Sequence, residues 1–237
     1  MIQIITRVKY PELYRKMQDT ARAMASGPVM FTAAFDDGQP RIAESYNLIG
    51  ITSMADTLLF VHDDVVFLSE GWDDKIKDAL ALGFDVVGVV GSKEYNGGMV
   101  FDAGREHSTG RVCGLKDGKR TVRIFEHRAE IEPVKVVDGL FMAMTRQHFI
   151  KTQFDESFDG LFFYDTDFCL RSNCAVVDIL VSHEKPDHLR GVYPEGLRPI
   201  TDYATKLNAK YGFPAITPIG DQKCEAVLLE DYWAVCA

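Results

Sequence analysis

The sequence predicts an α/β fold in which a mostly parallel central sheet is flanked by helices. Three observations support this prediction. Short apolar, β-branched segments alternate with amphipathic segments along the first 90 residues or so. The strand segments are almost continuously apolar, as are strands buried on both faces of a sheet. Polar residues follow directly after two of these segments, where sheets of this class bind their ligands.

The elements are predicted in order from periodicity and from turn residues. Strands are expected at 2–6, 28–35, 57–61 and 84–91, and helices at 11–25, 41–55 and 72–82. Pro11 suits the start of the first helix, since proline fits the first helical position. In the third helix Trp72, Ile76 and Leu80 recur at fourfold spacing and form one apolar face. The order of strands and helices favours parallel pairing.

The second half of the chain is less regular. Residues 91–120 are rich in glycine and polar residues and lack a clear period, which indicates short hairpin strands or a loop able to close over a ligand. One or two strands and a short helix are expected at 123–149. The apolar run at 175–183 predicts a single buried strand that ends in His183, and 198–212 predicts a helix.

Composition narrows the function. The chain of 237 residues suits one domain with a single core. Its formal net charge of −9 disfavours nucleic-acid partners, because phosphate backbones require clustered Lys and Arg. The five cysteines lack CxxC spacing, and the chain has neither a signal-peptide pattern nor an apolar run of about 20 residues that could span a bilayer. We therefore expect a cytoplasmic protein without a transmembrane segment.

The stretch LLFVHDDVVF, residues 58–67, places His62, Asp63 and Asp64 where a buried strand is predicted to end. Asp165 and Asp167 follow an aromatic segment, and His183 ends the late strand. Carboxylate oxygens suit Mg²⁺, and Mn²⁺ also accepts imidazole, so these groups predict a divalent-cation site completed by waters and a ligand diphosphate.

Other motifs would have indicated other chemistries. HExxH, GxGxxG, GxxxxGK[ST] and GxSxG are all absent from the sequence. Zinc hydrolysis, dinucleotide-dependent redox chemistry, P-loop phosphoryl transfer and serine hydrolysis are therefore poorly supported.

Three segments together resemble a known family. YNLIGITSMADTLLFVHDDVVF (46–67), FDESFDGLFFYDTDFCLRS (154–172) and DILVSH (178–183) look like the family 2-type glycosyltransferases with a GT-A fold, in the bacterial and phage glycosyltransferase-like branch. Each segment is a weak signal alone, and their order and spacing are specific. The resemblance covers about residues 1–190. It implies one GT-A domain, with a nucleotide-binding half at 1–105, an acceptor and catalytic half at 106–190 and an extension at 191–237.

The resemblance also implies roles for individual residues. The family's DxD motif falls on residues 62–64, with His62 in place of its first Asp. Asp165 takes the position of the general base, although Tyr164 stands where Glu is common, and Asp167 and Arg171 complete that element. The remaining roles are metal binding by Asp64 and His183, nucleotide binding by Thr6, Asp36, Asn47 and Asp63, and donor-sugar binding by Asp138 and Gly139.

The implied activity is metal-dependent transfer of a sugar from a nucleotide-diphosphate sugar to a hydroxyl of a carbohydrate or other acceptor, with Mn²⁺ or Mg²⁺ as cofactor. A single carboxylate base, Asp165, implies inversion at the anomeric carbon. Two alternatives stay open: a nucleotidyltransferase that makes such a donor, and a non-catalytic carbohydrate-binding module.

Each motif also has a structural interpretation. Asp63 or Asp64 could cap a helix, Asp165 and Asp167 could favour the positive end of a helix dipole, and His183 could be a buried structural histidine. The aromatic residues at 158–164 are expected in the core, with one of them available to stack on an acceptor.

Overall fold

The computed structural model describes residues 1–35, 41–116, 118–125, 129–184, 200–214 and 226–230. The strands are β1 Ile2–Val8, β2 Val29–Phe35, β3 Thr57–Val61, β4 Val65–Phe67, β5 Val86–Gly88, β6 Val90–Ser92, β7 Ser108–Lys116, β8 Lys119–Ile124, β9 Ile131–Val134, β10 Val136–Val137, β11 Phe141–Thr145, β12 Cys174–Val177, β13 Val181–His183 and β14 Ala226–Leu228. The helices are α1 Pro11–Met24, α2 Ile42–Thr52, α3 Trp72–Ala81, α4 Arg146–Thr152, α5 Tyr164–Cys169 and α6 Ile200–Tyr211, with a 3-10 turn at Arg105–His107.

The central sheet has the strand order β2-β1-β3-β11-β5-β12-β9. β1 pairs in parallel with β2 and β3, and β5 pairs in parallel with β12. β11 is antiparallel to both β3 and β5, so five of the seven strands point the same way and only β11 and β9 are reversed. The predicted α/β class with a mostly parallel central sheet is confirmed.

Burial on both faces explains the continuous apolar pattern of the central strands. In β3, Leu58 and Phe60 enter one hydrophobic cluster, and Leu59 and Val61 enter the cluster on the opposite face. Successive side chains of a strand point to opposite faces, so a strand covered on both sides needs apolar residues at every position. The first residue able to carry charge is therefore the one that leaves the sheet.

The second sheet has the order β10-β6-β7-β13-β4, and β8 pairs with β7 and β14. It forms where the chain leaves the central sheet. Two of the predicted strands are therefore wrong, because each of them is divided between the two sheets. The run at 84–91 divides into β5 in the central sheet and β6 in the second sheet. The run at 175–183 divides in the same way into β12 and β13. The strands on either side of each crossing are largely buried, so the mostly apolar pattern continues across the crossing and hides it.

The predicted apolar face of α3 is largely confirmed. Trp72, Ile76 and Ala79 are fully buried, whereas Leu80 lies partly exposed at the edge of the same cluster. The Trp72 indole N–H donates to the carbonyl oxygen of Ala21 at 3.0 Å, so α3 is fixed against α1. The irregular stretch 91–120 contains the β7–β8 hairpin, one of the two outcomes that the sequence left open.

Candidate active site

The HDD segment forms the turn between β3 and β4. β3 ends at Val61, and the N–H of Val65 donates to the carbonyl of His62 at 3.4 Å as β4 begins. β4 pairs antiparallel with β13, and in this register His183 lies opposite Val65. The pairing brings the imidazole of His183 beside Asp64, with Nε2 3.1 Å from the Asp64 Oδ1 atom.

His62, Asp64 and His183 form a cluster able to hold a metal ion. One ligand atom from each residue lies within 4.8 Å of the others, and the two imidazole rings are 5.5 Å apart. Oδ1 of Asp64 is buried, and the imidazole of His183 lies 3.1 Å from it. Burial opposes ionisation of Asp64, but the contact with His183 and the charge of His62 hold its pKa below the ordinary value. A buried ionised carboxylate beside two imidazoles fits a divalent cation.

Asp63 points away from this cluster. Its Oδ2 atom accepts hydrogen bonds from the backbone N–H groups of Lys9 and Tyr10, both at 2.7 Å. Burial, and then the charge of Asp64, raises the pKa of Asp63 to about 6. Asp63 thus fastens the turn to the connection between β1 and α1, and its predicted contact with a nucleotide stays a prediction.

Asp165 lies in the first turn of α5. Its Oδ2 atom accepts from the N–H of Gly139 and its Oδ1 atom from the N–H of Thr166, both at 2.8 Å. A Cβ atom at Gly139 would lie 2.7 Å from Oδ2, so the carboxylate can approach this closely only because residue 139 is glycine. Burial, and then the charge of Asp138, raises the pKa of Asp165 to about 6. A carboxylate in this state can accept a proton near neutral pH.

A backbone turn joins Asp165 to the metal cluster. The turn at 138–140 donates from Gly139 to Asp165, and its Leu140 carbonyl accepts from the N–H of His62 at 3.1 Å. The Asp138 carboxylate closes the turn by accepting from the N–H of Leu140 at 2.9 Å. The predicted donor-sugar residues Asp138 and Gly139 therefore lie between the predicted base and the predicted metal ligands.

Asp167 and Arg171 belong to a network of ion pairs and hydrogen bonds around the buried Asp167 carboxylate. Asp167 is fully buried, pairs with Arg171 at 2.8 Å and with Lys210, and accepts from the hydroxyl of Tyr211 at 2.9 Å. Arg171 also donates to the carbonyl oxygens of residues 152 and 153. These contacts fasten α5 to α6 and to the end of α4.

Two of the predicted nucleotide-binding residues, Asn47 and Thr6, are buried in the interior of the protein. The amide nitrogen of Asn47 donates to the carbonyl of Phe154 and to Glu156, and its oxygen accepts from the N–H of Phe154. Both N–H bonds of the Asn47 amide are thus used inside the protein. Thr6 is fully buried within β1, so a bound nucleotide could reach it only if neighbouring side chains moved. Asp36 lies outside the described residues.

Sequence reasoning left two features of this edge unassigned. In the sequence His62 is only a departure from the DxD pattern. The pairing of β4 with β13 brings the ring of His183 to 5.5 Å from the ring of His62. Glu184 was not singled out, yet it is buried, pairs with Lys16 and Arg120, and donates its own N–H to the carbonyl of Asp64 at 2.7 Å. A single glutamate after a histidine, as in His183-Glu184, forms no pattern from which a sequence could predict these contacts.

The described residues form a mostly parallel sheet that carries an acid–histidine cluster at a strand end, beside a carboxylate of raised pKa. Residues 3–199 match the family model described as "Glycosyltransferase like family". The chain therefore belongs to this glycosyltransferase-like family, and the predicted enzyme class is confirmed. No curated protein sequence matches the chain.

Solved structures agree on the fold. S. aureus TarS, residues 1–349, in complex with UDP-GlcNAc is 10% identical with a TM-score of 0.52 over 87% of this chain and 65% of that chain. GalNAc-T7 with UDP, GalNAc and Mn²⁺ is 8% identical with a TM-score of 0.51 over 88% of this chain and 47% of that chain. The chain thus spans less than two thirds of either relative. Within the described ranges, no helix has both the length and the apolar character needed to cross a membrane.

Proposed function

We propose that this glycosyltransferase moves a sugar from a nucleotide-diphosphate sugar to an acceptor hydroxyl, with a divalent cation bound and with inversion at the anomeric carbon. One observation carries the proposal. Asp165 and His62 are hydrogen-bonded to adjacent residues, Gly139 and Leu140, of one backbone turn. A proton acceptor and a cation cluster are thereby held side by side at the edge where α/β sheets bind ligands.

The cation is Mn²⁺ or Mg²⁺, held by His62, Asp64 and His183. When bound, it supplies positive charge that stabilises the departing diphosphate. Two imidazoles among three protein ligands favour Mn²⁺, because Mg²⁺ prefers oxygen ligands and keeps several waters. Glu184 supports the cluster from outside, since its pairs with Lys16 and Arg120 hold the end of β13 in place.

Asp165 acts as the general base. As the acceptor oxygen attacks the anomeric carbon, its proton passes to the Asp165 carboxylate, and the bond from that carbon to the diphosphate oxygen breaks with its electron pair. Attack from the face opposite the diphosphate inverts the configuration and requires one base only. Positioned proton transfer of this kind contributes about 10²–10⁴-fold to the rate. The N–H groups of Gly139 and Thr166 fix the carboxylate so that it does not turn away from the acceptor.

The decisive experiment measures the melting temperature of the whole chain with UDP and MnCl₂, with UDP and EDTA, and with GDP, CDP and ADP in the same two media. UDP is the first probe because one of the two similar structures contains UDP-GlcNAc and the other contains UDP. We expect stabilisation by one nucleoside diphosphate only with metal present. At a ligand concentration 100 times Kd the gain is about 2.7 kcal/mol. If no diphosphate stabilises the metal-containing protein, the proposal fails.

Turnover separates the two rival activities. A panel of nucleotide-sugars is incubated with the protein and MnCl₂, and release of nucleoside diphosphate is followed. A nucleotidyltransferase would instead consume a nucleoside triphosphate and a sugar 1-phosphate and release pyrophosphate. A binding module would be stabilised without any release. Neither rival is favoured by an observation in this structure.

A further inference from the structure

A second concave site lies next to Asp165. It is a cavity of about 500 Å³ between the segment 97–102 and one side of α6, within the size range of ligand sites in proteins. Its walls combine small residues, which leave the space open, with apolar and aromatic side chains. Those that matter most below are Met99, Asp102, Phe163, Thr205, Asn208 and Phe213.

The cavity adjoins the proposed base. Phe163 lines it and precedes Asp165 by two residues, at the N-terminus of α5. Tyr95 connects the two from the other side, because its ring lies 5.1 Å from that of Phe213 in the cavity wall. Burial, and then the nearby charges of Asp165 and Asp102, raise the pKa of Tyr95. A molecule in the cavity would therefore contact Phe163, at the start of the helix that carries Asp165.

The cavity contains unused hydrogen-bonding capacity. Asn208 is only 8% exposed, and its Oδ1 atom is buried without a hydrogen-bond partner among the described residues. The hydroxyl of Tyr95, which does not line the cavity itself, is also buried without a hydrogen-bond partner among the described residues. Leaving a buried polar atom unpaired costs about 1–3 kcal/mol, so such atoms at a cavity indicate that a ligand supplies the partner.

The backbone at Phe163 is strained. Its φ of 65° lies in the left-handed region, which residues other than glycine rarely adopt. Such conformations cost about 1–3 kcal/mol and concentrate at functional sites. Here the strained residue presents an aromatic side chain to the cavity and starts the helix that carries Asp165.

We propose that this cavity binds the acceptor and that the acceptor is an uncharged saccharide. This inference rests on the proposed function, since it names the substrate class for the same reaction. Aromatic and apolar walls suit the C–H faces of a sugar ring, and the Asp102 carboxylate and Asn208 amide suit its hydroxyls. Among the described lining residues none is Lys or Arg, which disfavours a phosphorylated acceptor, because phosphate recognition uses those cations.

The test measures ligand affinity by calorimetry on the whole chain loaded with UDP and MnCl₂. The probes are neutral methyl glycosides of glucose, galactose, mannose and N-acetylglucosamine, with glucose 6-phosphate and 1-octanol as a charged and an apolar competitor. We expect at least one neutral glycoside to bind, and to accept sugar when the matching nucleotide-sugar replaces UDP. Binding of only glucose 6-phosphate or only 1-octanol, or of no probe, overturns the inference.

Two variants locate the binding. Thr205→Trp fills the cavity from an exposed position of α6, and Asp202→Trp places the same side chain at an exposed position of α6 outside the cavity lining. We expect Thr205→Trp to weaken glycoside binding by about 10-fold or more, the change that 1.4 kcal/mol produces, and Asp202→Trp to leave it unchanged. Equal glycoside affinity in the two variants contradicts the location.

Asn208→Ala tests the polar contact separately. We expect weaker glycoside binding, a UDP affinity equal to that of the wild type, and a melting temperature that confirms folding. Unchanged glycoside binding in this variant also contradicts the site. Failure of the proposed function has a different signature, because it removes the stabilisation by UDP and metal in the wild-type protein itself.

Discussion

The backbone N–H of His62 donates to the carbonyl oxygen of Leu140 at 3.1 Å, and this hydrogen bond joins the two halves of the candidate active site. His62 begins the turn that carries the metal cluster, and Leu140 ends the turn that holds Asp165 through Gly139. Because the His62–Leu140 link is between backbone atoms, the spacing of the two turns does not depend on flexible side chains. Preorganisation of this kind is what charge stabilisation in a transition state requires.

The first prediction concerns the role of His62 as a metal ligand. His62→Ala, Asp64→Asn and His183→Ala should each reduce the stabilisation by UDP and MnCl₂, because each removes one of three clustered donors. We expect the Mn²⁺ concentration that gives half of the maximal stabilisation to rise about 10-fold or more, as measured by the melting temperature during a metal titration.

His107→Ala is the matched control for these three variants. His107 is partly exposed and lies near Glu106, away from the cluster. Its substitution should leave the metal titration unchanged. A His62→Ala variant that behaves like the control would show that His62 only neighbours the site, and the cluster would then be reduced to Asp64 and His183.

The second prediction concerns Asp165 as the base. Asp165→Asn keeps the size of the side chain but cannot accept the acceptor proton, so kcat should fall by about 10²–10⁴-fold while donor affinity is retained. In the wild-type protein kcat/KM should rise with pH through about 6, where Asp165 ionises. A variant with wild-type turnover, or with lost donor affinity, would contradict the assignment.

The Asp165 carboxylate should also make the unfolding free energy depend on pH. The folded-state pKa of Asp165 is raised from 3.8 to about 6, so its contribution to stability is present in full below about pH 4 and is lost as the pH rises through about 6. Relative to Asp165→Asn, the wild-type protein should therefore lose about 1–3 kcal/mol of unfolding free energy between pH 4 and pH 7. Chemical denaturation at these two pH values measures the difference, and parallel curves for the two proteins would show that the pKa of Asp165 is not raised.

Gly139 carries the third prediction. A methyl group there would lie 2.7 Å from the Asp165 carboxylate, so Gly139→Ala should displace the base and lower kcat more than donor affinity. Gly114→Ala is the control, because a Cβ at Gly114 meets no atom within 4 Å. Steady-state kinetics of both variants measure kcat, and the affinity for the donor is compared alongside. Equal kcat values in the two variants would mean that Asp165 tolerates the displacement.

Much of the fold was readable from the sequence because burial constrains local patterns. The strand at 57–61 was predicted to the residue, since a strand covered on both faces must be apolar at every position. The crossings after Gly88 and Val177 were not predicted, because Val89 continues the first apolar run and Asp178 is a single polar residue within a second run that is otherwise apolar up to Val181.

The candidate site was predictable in part for a similar reason. The sequence placed Asp64 and His183 at strand ends, but the antiparallel pairing of β4 with β13 that brings them together belongs to the second sheet, which the sequence did not predict. The contacts of Asn47 and Asp167 do not follow from any local pattern. Their partners, at Phe154 and at Lys210, are 107 and 43 residues away along the chain, and only tertiary packing brings them together.

The fourth prediction separates two aspartates of α5 that the sequence placed in one element. Asp167 is fully buried and accepts from Arg171, Lys210 and Tyr211, and Asp167→Ala removes all three contacts, although both cations are partly exposed and Lys210 keeps its pair with Asp155. Hydrogen bonds to charged groups contribute about 1.5–3 kcal/mol each, so the variant should lose at least that much unfolding free energy. Asp165→Asn should cost less stability at pH 7, because removal of an unfavourably buried charge offsets the loss of one of the two backbone hydrogen bonds that the carboxylate accepts. Urea denaturation of both variants tests this contrast, and equal losses of stability would contradict it.

The last prediction tests the nucleotide contact that the family resemblance implied for Asn47. The Asn47 amide makes three hydrogen bonds to residues 154 and 156, and these tie α2 to the segment that precedes α5. Asn47→Leu should therefore lower the unfolding free energy by about 1–3 kcal/mol, because backbone groups of Phe154 lose their partners. The affinity for UDP and MnCl₂ should stay unchanged at a temperature where the variant is folded. A selective loss of UDP affinity without a loss of stability would instead restore the nucleotide-binding role and would require α2 to move when the donor binds.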